Sequence, residues 1–348
     1  MKSSHEEVLV KVLTSPPPAK DLGRLFLACL LAFSGLFFAG AGGEIDASAG
    51  VAQRGPITGD WRVDFDRGKP DLVSLTMIRG NPRTGDGTRS DGPVALGELQ
   101  GLTREQAFGT AQTVKFRIVR EAGTFECEGT FAGGKGSGRW RLVPDESFLA
   151  AMRSRGYSLS SDKEIFESAL FGVSVKAIDD LTSAGYARIP FDKLIETRIF
   201  DVTPELINEM RAEGYTNQTL DELVEVRIFK IDRKFIDEMQ SLGFGRQPLR
   251  QLVDMRSQNV TPEYAREMRA EGFNLTPQEL VDFKVFGVTT GFIKELKAEG
   301  YSSITPREIV ELKVYKIDAD FIRRAKAKGF SQLTIDRLVN MRMNGALK

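Results

Sequence analysis

Val202-Thr203-Pro204-Glu205-Leu206-Ile207-Asn208-Glu209-Met210-Arg211-Ala212-Glu213-Gly214-Tyr215 decides the fold, because its pattern returns along more than half of the chain. Glycine-aromatic pairs stand at Gly156-Tyr157, Gly185-Tyr186, Gly214-Tyr215, Gly243-Phe244, Gly272-Phe273, Gly300-Tyr301 and Gly329-Phe330, spaced by 29 residues and once by 28. A fixed period of this length marks a repeat architecture. Eleven residues before each glycine stands an N-cap type: Asp145, Ser174, Thr203, Asp232, Thr261, Thr289 and Asp318. Such a side chain accepts a hydrogen bond from an otherwise unpaired helix amide. Pro204 and Pro262 follow where a missing amide hydrogen costs nothing, and Glu205 and Glu263 favour the positive end of the helix dipole. The glycine ends the helix in the left-handed conformation, and the aromatic after it folds back on the last turn. A second helix starts at Thr219, Thr276 and Thr305, with Glu222, Glu279 and Glu308 completing capping boxes. Val202, Ile231 and Val260 close their units. The pattern predicts seven two-helix repeats of about 29 residues stacked as an α-solenoid.

Working outward, the apolar positions say what is buried. Phe148, Leu206, Phe235, Tyr264, Phe292 and Phe321 share a helix face with Met152, Leu181, Met210, Met239, Met268 and Leu296. The second helix carries Leu194-Ile195, Leu223-Val224, Leu252-Val253, Leu280-Val281 and Leu338-Val339. A helix of about ten residues is marginal alone, so these stripes are expected to pack between neighbouring units. Charge is periodic too. Arg198, Arg227, Arg256, Lys284, Lys313 and Arg342 form one row, with Glu196, Glu225, Asp254, Asp282 and Glu311 two residues ahead of it. Stacking turns the rows into ladders, read either as solvated faces with salt bridges between units or as a groove that docks a partner. Some units depart from consensus: Ala169 and Ala325 replace basic and large apolar residues, Gln258 replaces an aromatic, and Pro248 interrupts a helix start.

Upstream, segments 57–66, 72–79, 94–100, 113–120, 123–131 and 136–143 alternate apolar and polar residues between Gly, Pro, Asn and Asp clusters. They predict a meandering antiparallel sheet that curls into a small barrel or sandwich. Glu121-Ala122-Gly123 and Ala132-Gly133-Gly134-Lys135-Gly136 read as hairpin connections. Gly59-Asp60-Trp61 resembles the Gly-x-Trp opening of lipocalin-like barrels, and Trp61 and Trp140 are otherwise core aromatics of the sheet. Cys127 shares the apolar phase with Phe125 and Phe131 and reads as a core thiol. Asp86 and Asp91 could touch calcium in the loop from Asn81 to Gly92, but their spacing matches no calcium-binding loop.

The uncharged run from Leu25 to Phe38 follows Lys20 and Arg24 and reads as a targeting segment, either a signal peptide cleaved near Ala39-Gly40-Ala41 or a retained anchor. Lys and Arg together number 48, as do Asp and Glu, so the chain has no net positive field to attract nucleic acid. Its single histidine, His5, precedes the apolar run, so the exported part has neither an imidazole base nor a histidine metal ligand. Gly129 to Gly136 approaches a phosphate loop, but Gly136 stands where Ser or Thr is needed and the segment joins two strands. Ser160-Ser161-Asp162-Lys163 has a Ser-x-x-Lys spacing at which Ser161 with Glu164 reads as a helix cap. No catalytic, metal or cofactor site is expected.

The combination of Arg120-Glu121-Ala122-Gly123-Thr124-Phe125, Glu128-Gly129, Gly136-Ser137-Gly138 and units such as Val202-Thr203-Pro204-Glu205 with Glu209-Met210-Arg211-Ala212-Glu213-Gly214-Tyr215 resembles a bacterial module. It is similar to the C-terminal extracytoplasmic region of antirepressor-type, β-lactam-sensing membrane metallopeptidase relatives. The resemblance covers about residues 55–348 and implies a sensory or interaction module. Neither the polytopic membrane part nor a His-Glu-x-x-His motif is present, so it carries over neither peptidase activity nor functional residues.

These readings give an α+β multidomain chain: a polar tail (1–23), a signal peptide or anchor (24–43), a linker (44–54), an antiparallel β domain (55–143) and a helical repeat domain (144–348). The expected function is a non-catalytic extracytoplasmic protein-binding scaffold or sensor module. Its docking surface would include Arg198, Arg227, Arg256, Lys284, Lys313, Glu196, Glu225 and Asp254. The alternative is a small-ligand carrier with a cavity in the β domain. The expected partner is an envelope protein, with membrane contact only through the N-terminal apolar segment and the oligomeric state left open.

Overall fold

The computed structural model describes residues 56–65, 72–80 and 87–346. The tail, the targeting segment, the linker and Asp86 lie outside the described residues. Among the described residues no helix is long and apolar enough to cross a membrane. The chain divides into two compact bodies between Ile207 and Asn208.

The first body opens with six antiparallel strands: β1 (Ile57–Phe65), β2 (Leu72–Arg79), β3 (Thr88–Ala95), β4 (Gln112–Arg120), β5 (Gly123–Ala132) and β6 (Lys135–Pro144). Their order is β3-β2-β1-β6-β5-β4, two three-strand meanders joined where β1 pairs with β6. The pairings stop at β3 and β4, so the sheet is open rather than the barrel or sandwich expected from strand length. An isolated bridge from Gln100 to Arg117 covers part of the β4 edge.

The third strand lies at 88–95 instead of 94–100, because its inward positions Thr88, Ser90 and Gly92 are small or polar and hide the period-two signal. The stretch Leu96–Glu98 forms a 3-10 turn, and α1 (Arg104–Phe108) follows on a Thr103–Gln106 capping box. Asp91, read as a loop residue, sits on β3 and is held by Arg89 at 2.7 Å and by the Thr76 hydroxyl.

Apolar side chains fill the inner face of the sheet. Trp61 packs on Phe116 at 5.0 Å and on Phe131 at 5.4 Å, and donates Nε1–H to the Arg139 carbonyl at 3.1 Å. Its ring occupies the space a side chain at Gly129 would take, as Trp140 does at Gly59. This close approach is the local reason for glycine in those strands. Cys127 is buried, and desolvation pushes its thiol up to about 12, which leaves it unreactive.

Among the described residues fourteen α-helices follow. In the first body are α2 (Glu146–Ser154), α3 (Asp162–Leu170), α4 (Val175–Ser183), α5 (Phe191–Ile199) and α6 (Pro204–Ala212), the last of which runs across the division. The second body adds α7 (Leu220–Ile228), α8 (Arg233–Met239), α9 (Leu249–Ser257), α10 (Pro262–Ala270), α11 (Pro277–Val285), α12 (Thr290–Ala298), α13 (Pro306–Val314), α14 (Ala319–Ala327) and α15 (Ile335–Met343). Helix α3 lies on the inner face of the sheet, where Phe166 stacks on Trp140 at 4.9 Å and meets Phe125 edge-on at 5.9 Å. The β domain and α3 therefore share one aromatic core.

The helix ends follow the expected chemistry. Each of the seven N-cap residues accepts from the amide three positions on, as Asp145 does from Phe148 at 2.9 Å and Thr203 from Leu206 at 3.4 Å. The seven expected glycines sit at φ between 83° and 101°. Tyr157 N–H donates to Met152 and Gly156 N–H to Arg153, the double closure of a Schellman ending, and α10 and α12 end alike.

The even helices are not alone in ending this way. After the odd helices the left-handed residue is Gly172, Asp201, Lys230, Asn259, Gly287, Lys316 or Gly345, followed by a buried apolar residue in six of the seven. In the second body α7, α9, α11, α13 and α15 pack in succession, and α12 packs on α14.

Candidate protein-binding face

The basic row emerges from the last turns of the odd helices, and its members mostly serve the fold. In the first body Arg198 Nε–H donates to the Gly172 carbonyl at 3.2 Å. In the second body Arg342 Nε–H donates to the Tyr315 carbonyl at 3.1 Å, and an Arg256 NH2 group reaches the Lys230 carbonyl at 3.5 Å. Each acceptor lies at the C-terminus of the previous odd helix, where carbonyls lack intrahelical donors and the dipole favours a cation. Members of the same row stack on aromatics of the preceding even helix. Arg256 lies 4.1 Å from the Phe235 ring centre, Lys284 3.8 Å from Tyr264 and Lys313 4.5 Å from Phe292. Half-buried Arg227 also has a partner. The row is thus a set of intramolecular staples, each cation–π contact contributing about 0.5–2 kcal/mol.

The acidic row is different. Glu196 is paired with Lys193 three residues earlier, and Glu311 also has a partner. Glu225 on α7 and Asp254 on α9 are half-buried and make neither a hydrogen bond nor a close ion pair among the described residues. Burial raises the pKa of both; at Glu225 the nearby Asp221, Glu222 and Asp254 add to it, while Arg250 opposes the rise at each. Asp282 on α11 is raised for the same reason, with the Gln278 amide at 2.9 Å drawing it back. The row has one more member than the sequence reading recognised. Glu167, 29 residues before Glu196, is buried on α3, raised by desolvation, and approached by the Thr88 hydroxyl at 3.5 Å and Lys163 at 3.8 Å. The period alone could have found it.

Between the two unpaired carboxylates the regular pattern breaks. Because Pro248, the N-cap of α9, has no amide hydrogen to donate, the bond that the capping-box glutamates of α7, α11 and α13 accept is missing at Gln251. Its Nε2 is buried without a partner, as is Arg256 Nε. Upstream, Gln240–Phe244 forms a wide turn and Gly245 adds a second positive φ. Pro248 and Gln258 thus belong to an irregular helix pair of the second body. They sit beside Glu225 and Asp254 in the packed series α7-α9-α11.

The salt bridges that join neighbouring even helices use residues outside both rows. Glu271 pairs with Lys294 at 3.4 Å and Lys297 at 3.2 Å, and Glu299 with Arg323 at 3.0 Å and Lys326 at 2.7 Å. Lys297 also donates to the Glu271 carbonyl at 2.7 Å, the even-helix version of the staple. Hydrogen bonds from Lys297 and Lys326, with the charges around them, hold the two carboxyls below the usual range.

In the β domain a hollow of about 630 Å³ lies on the outer face of the sheet. Its register sets Lys115 opposite Glu128 and Glu126 opposite Arg141, paired at 3.2 and 2.7 Å, while Arg117 and Arg139 also line it, so basic groups outnumber acidic ones there. Among the described residues no group of three or more His, Cys, Asp or Glu is placed to hold a metal ion. No family model matches this sequence, and comparison with curated proteins and with solved structures finds no similar chain.

Proposed function

We propose that the chain is a non-catalytic extracytoplasmic scaffold or sensor module, built as seven stacked two-helix repeats, that docks an envelope protein through the acidic row of its odd helices. One observation carries this reading: Glu225 and Asp254 sit half-buried and unpaired on neighbouring helices, while the basic row beside them is occupied within the fold. Partly desolvated carboxylates without a partner raise the energy of the free protein, and a cationic side chain docking on them relieves that cost. The partner surface is therefore basic, and Arg250 at the rim selects the register in which it binds. Placement outside the cytoplasm rests on the apolar segment 24–43, and a sensory role draws support from the resemblance of the repeats and the β domain to extracytoplasmic sensor regions.

The test is photo-crosslinking in native cell envelopes from a probe at Arg250 in the full chain, beside a Glu225→Gln/Asp254→Asn variant. Saturable capture of one protein with a basic face, lost in the variant while its melting temperature holds or rises, is the expected result. Capture that ignores the variant, or none that saturates, refutes the docking face.

A further inference from the structure

We propose that the space bounded by β2, β3, β4 and α3 in the first body binds a small amphipathic carboxylate, with Arg120 taking its acid group. The space measures about 220 Å³. That is below the range of about 300–1,000 Å³ for drug-sized pockets and equals the liquid volume of about seven waters, which suits an apolar body of about six carbons.

Gly92 opens the space. By the β2–β3 register it lies opposite Leu75, with Ser90 opposite Met77, so both belong to the inward phase of the sheet. A side chain built on Gly92 meets nothing within 4 Å, and its φ is not left-handed, so no backbone demand accounts for a glycine there. From the other side Ala169 keeps α3 small at the position where α5, α7 and α9 carry the long basic residues Arg198, Arg227 and Arg256. Leu75, Met77, Ile118 and Phe125 supply an apolar wall.

The polar end is equally defined. Arg120, on the inward phase of β4, donates to Glu98 Oε2 at 2.6 Å and to the Val119 carbonyl at 3.1 Å. Its side chain is 25% exposed against 42% for Glu98, whose other oxygen accepts from the Ala95 amide at 3.3 Å. Glu98 and Arg120 are the charged groups that line the space, and the Ser90 hydroxyl has no partner among the described residues. A ligand carboxylate can therefore replace the more exposed Glu98 on the guanidinium, in the paired geometry such groups favour, while Glu98 returns to water. An amine could pair only with the more exposed Glu98 and would still meet the more buried Arg120 as a like charge, and an alcohol would forgo the ion pair.

The site is tested by calorimetric titration of the full chain with hexanoate, hexan-1-ol and hexylamine. Hexanoate is expected to bind saturably at one site and hexylamine not to bind. Gly92→Ala, Gly92→Val and Gly92→Leu should weaken hexanoate in order of side-chain size, by about tenfold or more for leucine, with the melting temperature held or raised as the space fills. Arg120→Gln should erase the preference for hexanoate over hexan-1-ol. Absence of saturable hexanoate heat, an affinity indifferent to the glycine series, or a carboxylate preference that survives Arg120→Gln each overturns the proposal. The graded series keeps the answer readable if the leucine variant fails to fold.

Discussion

At the scale of single residues, the tyrosine after the helix-ending glycine does more than cover the last turn. Tyr157, Tyr215 and Tyr301 donate their hydroxyls to the carbonyls of Ile189, Gln247 and Leu333, each 32 residues on, at 2.9, 2.7 and 2.6 Å. Each bond latches one helix pair to the loop of the next. Burial raises the pKa of all three phenols, so the hydroxyls remain donors across the physiological range. Tyr215→Phe keeps the ring but leaves the Gln247 carbonyl without its donor, and we expect a loss of about 1 kcal/mol. Calorimetry would read this as a fall of about 2–4 °C; an unchanged melting temperature would mean that water replaces the hydroxyl at no cost. The sequence revealed the aromatic but not the latch, because an acceptor 32 residues away is defined only by stacking.

At the scale of elements, the helix ends were the most legible feature, since caps act over three or four residues and their chemistry is local. Thr219, Thr276 and Thr305 make the capping boxes read from their spacing, and Ser161 with Glu164 makes a fourth. The ends of the odd helices escaped notice because only three of the seven use glycine. Lys316 holds φ at 54°, a conformation that costs a side chain about 1–2 kcal/mol, partly offset by the greater freedom glycine would lose on folding. Lys316→Gly is accordingly expected to stabilise the protein by about 0.5–1 kcal/mol, visible as a midpoint shift in urea at constant m-value. A destabilised variant would show that the Lys316 side chain makes a contribution larger than its strain. The β3 strand illustrates the opposite case: its small inward residues erase the alternation that announces a strand, and its place is fixed by pairing with β2.

At the scale of the whole molecule, two sets of carboxyls oppose each other in pH. Glu271 and Glu299 have lowered pKa values, so the stability they add is present above the unfolded carboxylate pKa, about 4.3, and is lost as pH falls through their folded values. Glu225, Asp254 and Asp282 are raised, so the folded state binds protons more tightly and stability declines as pH rises from the ordinary carboxylate range through their folded values. The melting temperature should therefore peak in mild acid, and Glu225→Gln/Asp254→Asn should flatten the decline on the alkaline side of that peak. A variant profile parallel to that of the native chain between about pH 5 and 8 would remove the raised carboxyls from the account. By itself the sequence determined the α+β layout, the helix run with its caps, and the residues of both charge rows, because those depend on period, turn chemistry and local hydrogen bonding. Only the tertiary structure decided that the sheet stays open with α3 on its inner face, that the basic row is spent on helix ends and aromatic rings, and that Glu225 and Asp254 are left unpaired. Those outcomes depend on which side chains meet across elements distant in sequence, and a period fixes the positions of residues without fixing their partners.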